Sequence, residues 1–159
     1  MSAVISPDGV YRYELRRLIG GKGVKPCCFI MLNPSTADAE KDDPTIRRCI
    51  GYARAWESSA LIVVNLFAFR ATNPKDLFAA IDPVGPENKS YIQAVAKEAG
   101  TIVCAWGTHG DYLGQGLYVL RLLDDIGAHP LALAKTKNGH PAHPLYLPKH
   151  LSPFDWRHT

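Results

Sequence analysis

The stretch Cys27-Cys28-Phe29-Ile30-Met31-Leu32 is apolar throughout and stops at Asn33-Pro34. A short apolar run without alternation reads as a strand covered on both faces, as in a parallel sheet lying between helical layers. Asp43-Pro44 follows, and then Thr45 to Trp56. Asp43 suits an N-cap, and Pro44 suits the first helical position, where no N–H is needed. Ile46, Ile50, Ala53 and Trp56 recur at helical spacing and predict one buried face. Leu61-Ile62-Val63-Val64 is a second apolar run, closed by Asn65. Strand, helix, strand in this order predicts a βαβ unit.

The same alternation continues downstream. Asn73-Pro74 and Gly85-Pro86 each offer a helix start, with Tyr91, Val95 and Ala99 as the stripe of the second. Ile102-Val103-Cys104-Ala105-Trp106 is a third apolar run, ending at Gly107. Tyr112 to Ile126 predicts a helix with Leu113, Leu117, Leu120 and Leu123 facing the core, and Gly127 in the C′ position. Leu131-Ala132-Leu133-Ala134 is the last run, followed by a polar loop. Upstream, Ser6-Pro7-Asp8-Gly9 is a turn signature, and Val10 to Leu15 alternates like a half-exposed strand. Gly20-Gly21-Lys22-Gly23 reads as a flexible loop. The prediction is one α/β domain over residues 1–159: a three-layer α/β/α sandwich. Its sheet is mainly parallel and four-stranded, with an N-terminal antiparallel edge strand or hairpin.

Composition narrows the function. The chain has 159 residues, close to the roughly 150 typical of one domain. It is 47% hydrophobic and 21% charged, which argues against a long disordered tail. No apolar run approaches the roughly 18 residues of a membrane span. The N-terminus lacks a basic stretch followed by an apolar run, so a cytoplasmic location without a membrane is expected. The net charge of +3 permits an anionic ligand but falls short of a DNA-binding stripe. Cys27, Cys28, Cys49 and Cys104 have no CxxC spacing and read as reduced core thiols. No P-loop, GxGxxG after the first apolar run, or GxSxG motif occurs. Neither a cofactor nor a metal is called for.

Ligands of open α/β sheets bind beyond the carboxyl ends of the strands. Asn33 follows the first run, with Asp38 nearby. Asn65, Phe67 and Arg70 follow the second, and Trp106 and His109 the third. Lys135, His140 and His143 follow the last. The asparagines can read donors and acceptors on a heterocycle. Asp38 offers a carboxylate to activate water. Phe67 and Trp106 offer stacking faces. Arg70 and Lys135 can hold an anion, and the histidines can donate a proton or stabilise negative charge. Such a set suits a base attached to sugar and phosphate. Each residue also has a structural reading. Asn33 serves as a turn residue, Asp42 and Asp43 as helix caps, Trp106 as core, and Arg47, Arg48 and Arg54 as a solvated helix face.

Several longer motifs carry a resemblance. Leu32-Asn33-Pro34-Ser35-Thr36-Ala37-Asp38, Asp42-Asp43-Pro44-Thr45-Ile46-Arg47-Arg48-Cys49, Asn65 to Thr72, Ala105-Trp106-Gly107 and His143-Pro144-Leu145-Tyr146-Leu147 resemble a bacterial and phage family filed as a domain of unknown function. That likeness implies no particular reaction. Glu57-Ser58-Ser59 departs from it, where a glycine-containing turn is expected. More distantly, the order of these motifs resembles the uracil-DNA glycosylase superfamily. That likeness implies Asp38 or Asn33 positioning water, Asn65 reading a base edge and His143 stabilising the departing base. The expected activity is N-glycosidic bond hydrolysis. The alternative is a non-catalytic module for a nucleobase, a nucleotide or single-stranded nucleic acid.

Overall fold

Six strands form one sheet in the order β1-β2-β4-β3-β5-β6. The computed structural model describes residues 1–23 and 25–158. β1 (Ser2–Ile5) and β2 (Arg12–Leu18) make an antiparallel hairpin, and β2 joins β4 (Ala60–Asn65) antiparallel, Leu15 facing Val63. From there the sheet is parallel. β3 (Cys27–Met31) lies between β4 and β5 (Thr101–Cys104), with Phe29 level with both Val63 and Val103. β6 (Pro130–Leu131) closes the far edge. The expected architecture, four parallel strands with an N-terminal hairpin added, is the one observed.

The central strand β3 is buried along its whole length because both faces are covered. On one face α1 (Pro44–Ala55) presents Ile46, Cys49, Tyr52 and Ala53 to Phe29, Leu61 and Val63. The Phe29 ring stacks on Trp56 at 5.9 Å, within 2° of parallel. On the other face, α2 (Pro74–Ala79), α3 (Asn88–Glu98) and α4 (Gln115–Asp125) cover Cys28, Ile30, Ile62 and Val64. All four cysteines are free and buried. Among the described residues no helix is long and apolar enough to cross a membrane.

α1 starts and α4 ends as their sequences dictate. Asp43 accepts the Ile46 amide at 2.9 Å and Pro44 opens α1. After α4, Gly127 takes φ 73°; its amide bonds Asp124, and that of Ala128 bonds Leu123, a Schellman closure. α1 ends with the same two bonds, Glu57 to Arg54 and Ser58 to Ala53, but Glu57 occupies the left-handed position at φ 54°. The departure at Glu57-Ser58-Ser59 is therefore a glycine position filled by glutamate.

Three expectations need correction. Leu113 and Leu117 are 63% and 57% exposed, and α4 instead buries Val119, Leu120, Leu122 and Leu123. A 3₁₀ segment over Thr108–Gly114 precedes α4, with Leu113 at φ 54° and Gly114 at φ 66°, so the helical period starts only at Gln115. The run Leu131–Ala134 yields only a short strand, because Ala132 leaves β5 and pairs with Phe154. The glycine loop is not merely flexible. Gly21 and Gly23 amides bond Ser58 and Glu57 carbonyls, and a Cβ on Gly21 would collide with the Glu57 backbone.

Candidate functional site

The register between β1 and β2 slips by one residue, from Val4 opposite Glu14 to Ile5 opposite Arg12. Such a bulge re-aims side chains. In a regular strand Arg12 and Arg17, five apart, would point to opposite faces. Here both reach the loop that leads into α1. Arg17 pairs with Asp42 at 2.8 Å, and Arg12 Nη1 donates to the Ala37 carbonyl at 3.0 Å. Tyr13, in the bulge, turns the other way and stacks on Tyr91 of α3 at 5.2 Å. Arg12 is left 2% exposed, and its Nε has no hydrogen-bond partner among the described residues. Burial pulls its pKa down to about 10, against a raising influence from Asp43.

Arg12 lines a cleft of about 490 Å³ at the carboxyl ends of β3 and β5. Met31, Leu32, Asn33 and Pro34 form one wall, and Asp43, Thr45 and Ile46 of the α1 start form a second. Trp106, Gly107 and His109 close it on the β5 side, where His143 stands next to Gly107, and Leu145 completes the lining. The sites predicted at Asn33, Trp106, His109 and His143 thus meet in one cleft.

Each group has a defined chemistry. Asn33 Nδ2 donates to the carbonyls of Ala71 (2.8 Å) and Pro34 (3.1 Å), which fixes the loop after β4 and leaves Oδ1 as the acceptor. Asp43 Oδ1 is committed to the helix cap, which leaves Oδ2. His143 Nδ1 accepts the Leu145 amide at 3.2 Å, so the neutral ring carries its proton on Nε2 as a donor. Desolvation by the cleft walls lowers the His143 pKa, partly offset by the charge of Asp43. His109 lies edge-on to Phe78 at 5.3 Å. Trp106 is wedged into place, since a Cβ on Gly110 would overlap its ring.

A family model described as Protein of unknown function (DUF1643) matches residues 12–145. The chain belongs to this family. The matched span begins at Arg12 and ends at Leu145, the first and last residues that line the cleft. No curated protein and no solved structure matches the chain.

The other predicted site residues lie outside the cleft. Asp38 Oδ1 accepts the amides of Glu40 and Lys41, which hold its carboxyl below the usual range and in its own turn. Asn65 is 1% exposed on the sheet face of Leu61 and Val63, and neither end of its amide has a partner. Phe67 is fully buried on the opposite face, against Tyr112. The Arg70 amide bonds Val10, which holds this residue against the β1–β2 turn. Lys135 bridges to Pro141, and His140 lines a separate hollow beside Trp156. The side chains missed in the sequence are Arg12, whose signal is only its place between two tyrosines, and Asp43, read as a cap alone.

Proposed function

We propose that the strand-end cleft binds a nucleotide unit and hydrolyses its N-glycosidic bond. The observation that carries this reading is Arg12: a buried guanidinium with an unpartnered Nε, lining a cleft at the carboxyl ends of parallel strands. Orphan buried polar groups in a native fold call for a ligand, water or ion, and a guanidinium calls for an anion such as phosphate. Asn33 Oδ1 supplies an acceptor for a donor on the base.

The chemistry falls to Asp43, a carboxylate that lines the cleft, and His143, which lines it with a donor Nε2–H. Asp43 Oδ2 orients a water toward the sugar carbon and takes its proton. The new C–O bond forms as the C–N bond breaks, and the electron pair leaves with the base. His143 Nε2–H donates to the negative charge that develops there. Asp43 takes this role in place of Asp38 because Asp43 lines the cleft and Asp38 lies outside it, in its own turn.

Asp43→Asn tests the assignment cleanly, because asparagine caps a helix as well as aspartate. Release of free base from nucleosides, nucleotides and short single strands is followed by chromatography. The variant is expected to keep its thermal shift with ligand and to lose base release by at least a hundredfold. Base release at the wild-type rate would remove the catalytic reading. A ligand shift with no base release even in the wild-type protein would leave the binding module.

A further inference from the structure

A second hollow of about 540 Å³ runs along the outer flank of α1. Its lining carries three cations, Arg47, Arg48 and Lys149, set against the apolar faces of Tyr52 and Leu145, and, among the described residues, no carboxylate. It adjoins the strand-end cleft. Leu145 lines both, and Pro44 of the groove stands between Asp43 and Thr45 of the cleft. The first turn of α1 and Leu145 are thus the partition between them.

Two oddities bear on this groove, one in its lining and one next in the chain to Leu145, which lines it. Gly51 sits inside α1, where glycine weakens a helix relative to alanine. Its backbone does not require it: φ is not positive, and a Cβ there would meet nothing within 4 Å. What the missing side chain preserves is the open floor of the groove, which Gly51 lines. The second is Tyr146, 88% exposed and at φ 72°. The Leu147 amide bonds the Pro144 carbonyl at 3.1 Å, so Tyr146 is the third residue of a tight turn, where a positive φ favours glycine. A strained backbone thus holds an aromatic ring out into solvent beside Leu145. Strain of this kind collects at functional sites.

We infer that the groove and Tyr146 together seat a single-stranded polynucleotide. The inference rests on the nucleotide reading of the cleft and extends it from a unit to a strand. Arg47, Arg48 and Lys149 take consecutive phosphates. Tyr146 stacks one base, and the neighbouring nucleotide passes over Leu145 into the cleft, where Arg12 meets it. A free nucleotide held in the cleft would leave the three groove cations without a counter-charge. A strand uses both hollows, and stacking on an exposed ring is tolerant of sequence.

The test uses fluorescein-labelled mixed-sequence 12-mers of DNA and of RNA, with a nucleoside monophosphate as the short probe. Gly51→Leu fills the groove and improves the helix. Its melting temperature is expected to hold or rise, its affinity for the 12-mer to fall at least tenfold, and its response to the monophosphate to stay unchanged. Arg47→Gln with Lys149→Gln is expected to make the salt dependence shallower by more than one unit, at roughly 0.7 for each phosphate that is no longer neutralised. Tyr146→Gly removes the ring and relieves the turn, so it is expected to be more stable and to bind the 12-mer about tenfold more weakly. Wild-type affinity in Gly51→Leu, or no 12-mer binding by the wild-type protein, would overturn the inference. A monophosphate response that survives those results leaves the cleft reading standing. Loss of that response alone, with 12-mer binding still sensitive to Gly51→Leu, removes the cleft reading and keeps the groove.

Discussion

Arg12 gives one terminal nitrogen to the carbonyl of Ala37 at 3.0 Å, while the Nε of the same guanidinium meets no acceptor. The fold therefore carries a buried charge that it only partly satisfies. Replacing a buried ion pair by apolar side chains of similar volume is often neutral or stabilising, and Arg12 bonds a backbone carbonyl, so its replacement strands no buried charge. Arg12→Met is expected to leave stability unchanged or raise it by up to about 2 kcal/mol, and to abolish the thermal shift with anionic ligands. Urea unfolding with and without a nucleoside monophosphate reads both effects. A clear loss of stability would make Arg12 a structural residue instead.

His143 predicts a pH dependence with a definite sign. Its folded pKa lies below its ordinary value, because the cleft walls desolvate the ring. Above the unfolded value of about 6.5 both states hold the ring neutral, and its contribution to stability is fully present. As pH falls below that value the unfolded chain binds the proton first, and stability declines through the folded pKa. Unfolding curves between pH 5 and 8 should show this slope in the wild-type protein and a flatter one in His143→Gln. Equal slopes would show that His143 titrates alike in both states.

Glu57 occupies a left-handed helix C′ position at φ 54° that glycine fills without strain. Glu57→Gly is expected to stabilise the protein by about 0.5–1 kcal/mol, somewhat less than the full left-handed penalty because glycine loses more entropy on folding. The midpoint of urea unfolding should rise with the slope unchanged. A fall would mean that the glutamate side chain contributes more than its backbone costs.

Gly110 is the neighbour that fixes the Trp106 ring. A methyl group there would overlap the indole, whose edge already packs against Trp156 at 6.1 Å. Gly110→Ala is expected to cost about 1–3 kcal/mol and to shift tryptophan emission, because the cleft wall must move. Unchanged emission together with unchanged stability would show that the ring has room to turn.

The parts of the fold that can be read in the sequence are those where one residue pattern has one physical solution. Phe29 and Val63 lie in apolar runs with no polar face, so only a strand between two layers accommodates them. Asp43-Pro44 can hardly be other than a helix start. Leu113 and Leu117 mislead because the helical spacing runs on through Gly114, whose positive φ breaks the phase. The site is less legible still. Arg12 lies in an alternating strand, where arginine reads as a solvent-facing residue, and the one-residue slip that turns it inward leaves no mark in the residue types. Asp38 and Asp43 are equally plausible carboxylates by residue type. Only their placement tells them apart: Asp43 lines the cleft, and Asp38 is turned into the loop that its own Oδ1 ties together.

The cleft is assembled from segments that are far apart along the chain, at Arg12, Met31–Ser35, Asp43–Ile46, Ala71–Thr72, Trp106–His109 and finally His143–Leu145. The β3–α1–β4 unit has everything it needs to pair early, but β3 must wait for β5 before its other edge is covered. During synthesis, at about 5–20 residues per second, all six strands have emerged before the rim is complete. A chain that stops ahead of His143 lacks the last stretch of that lining, and with it Phe154, which pairs with Ala132, and Trp156, which packs into the core. The segment from His143 onward therefore finishes the cleft and the core together, and a truncation there removes part of both.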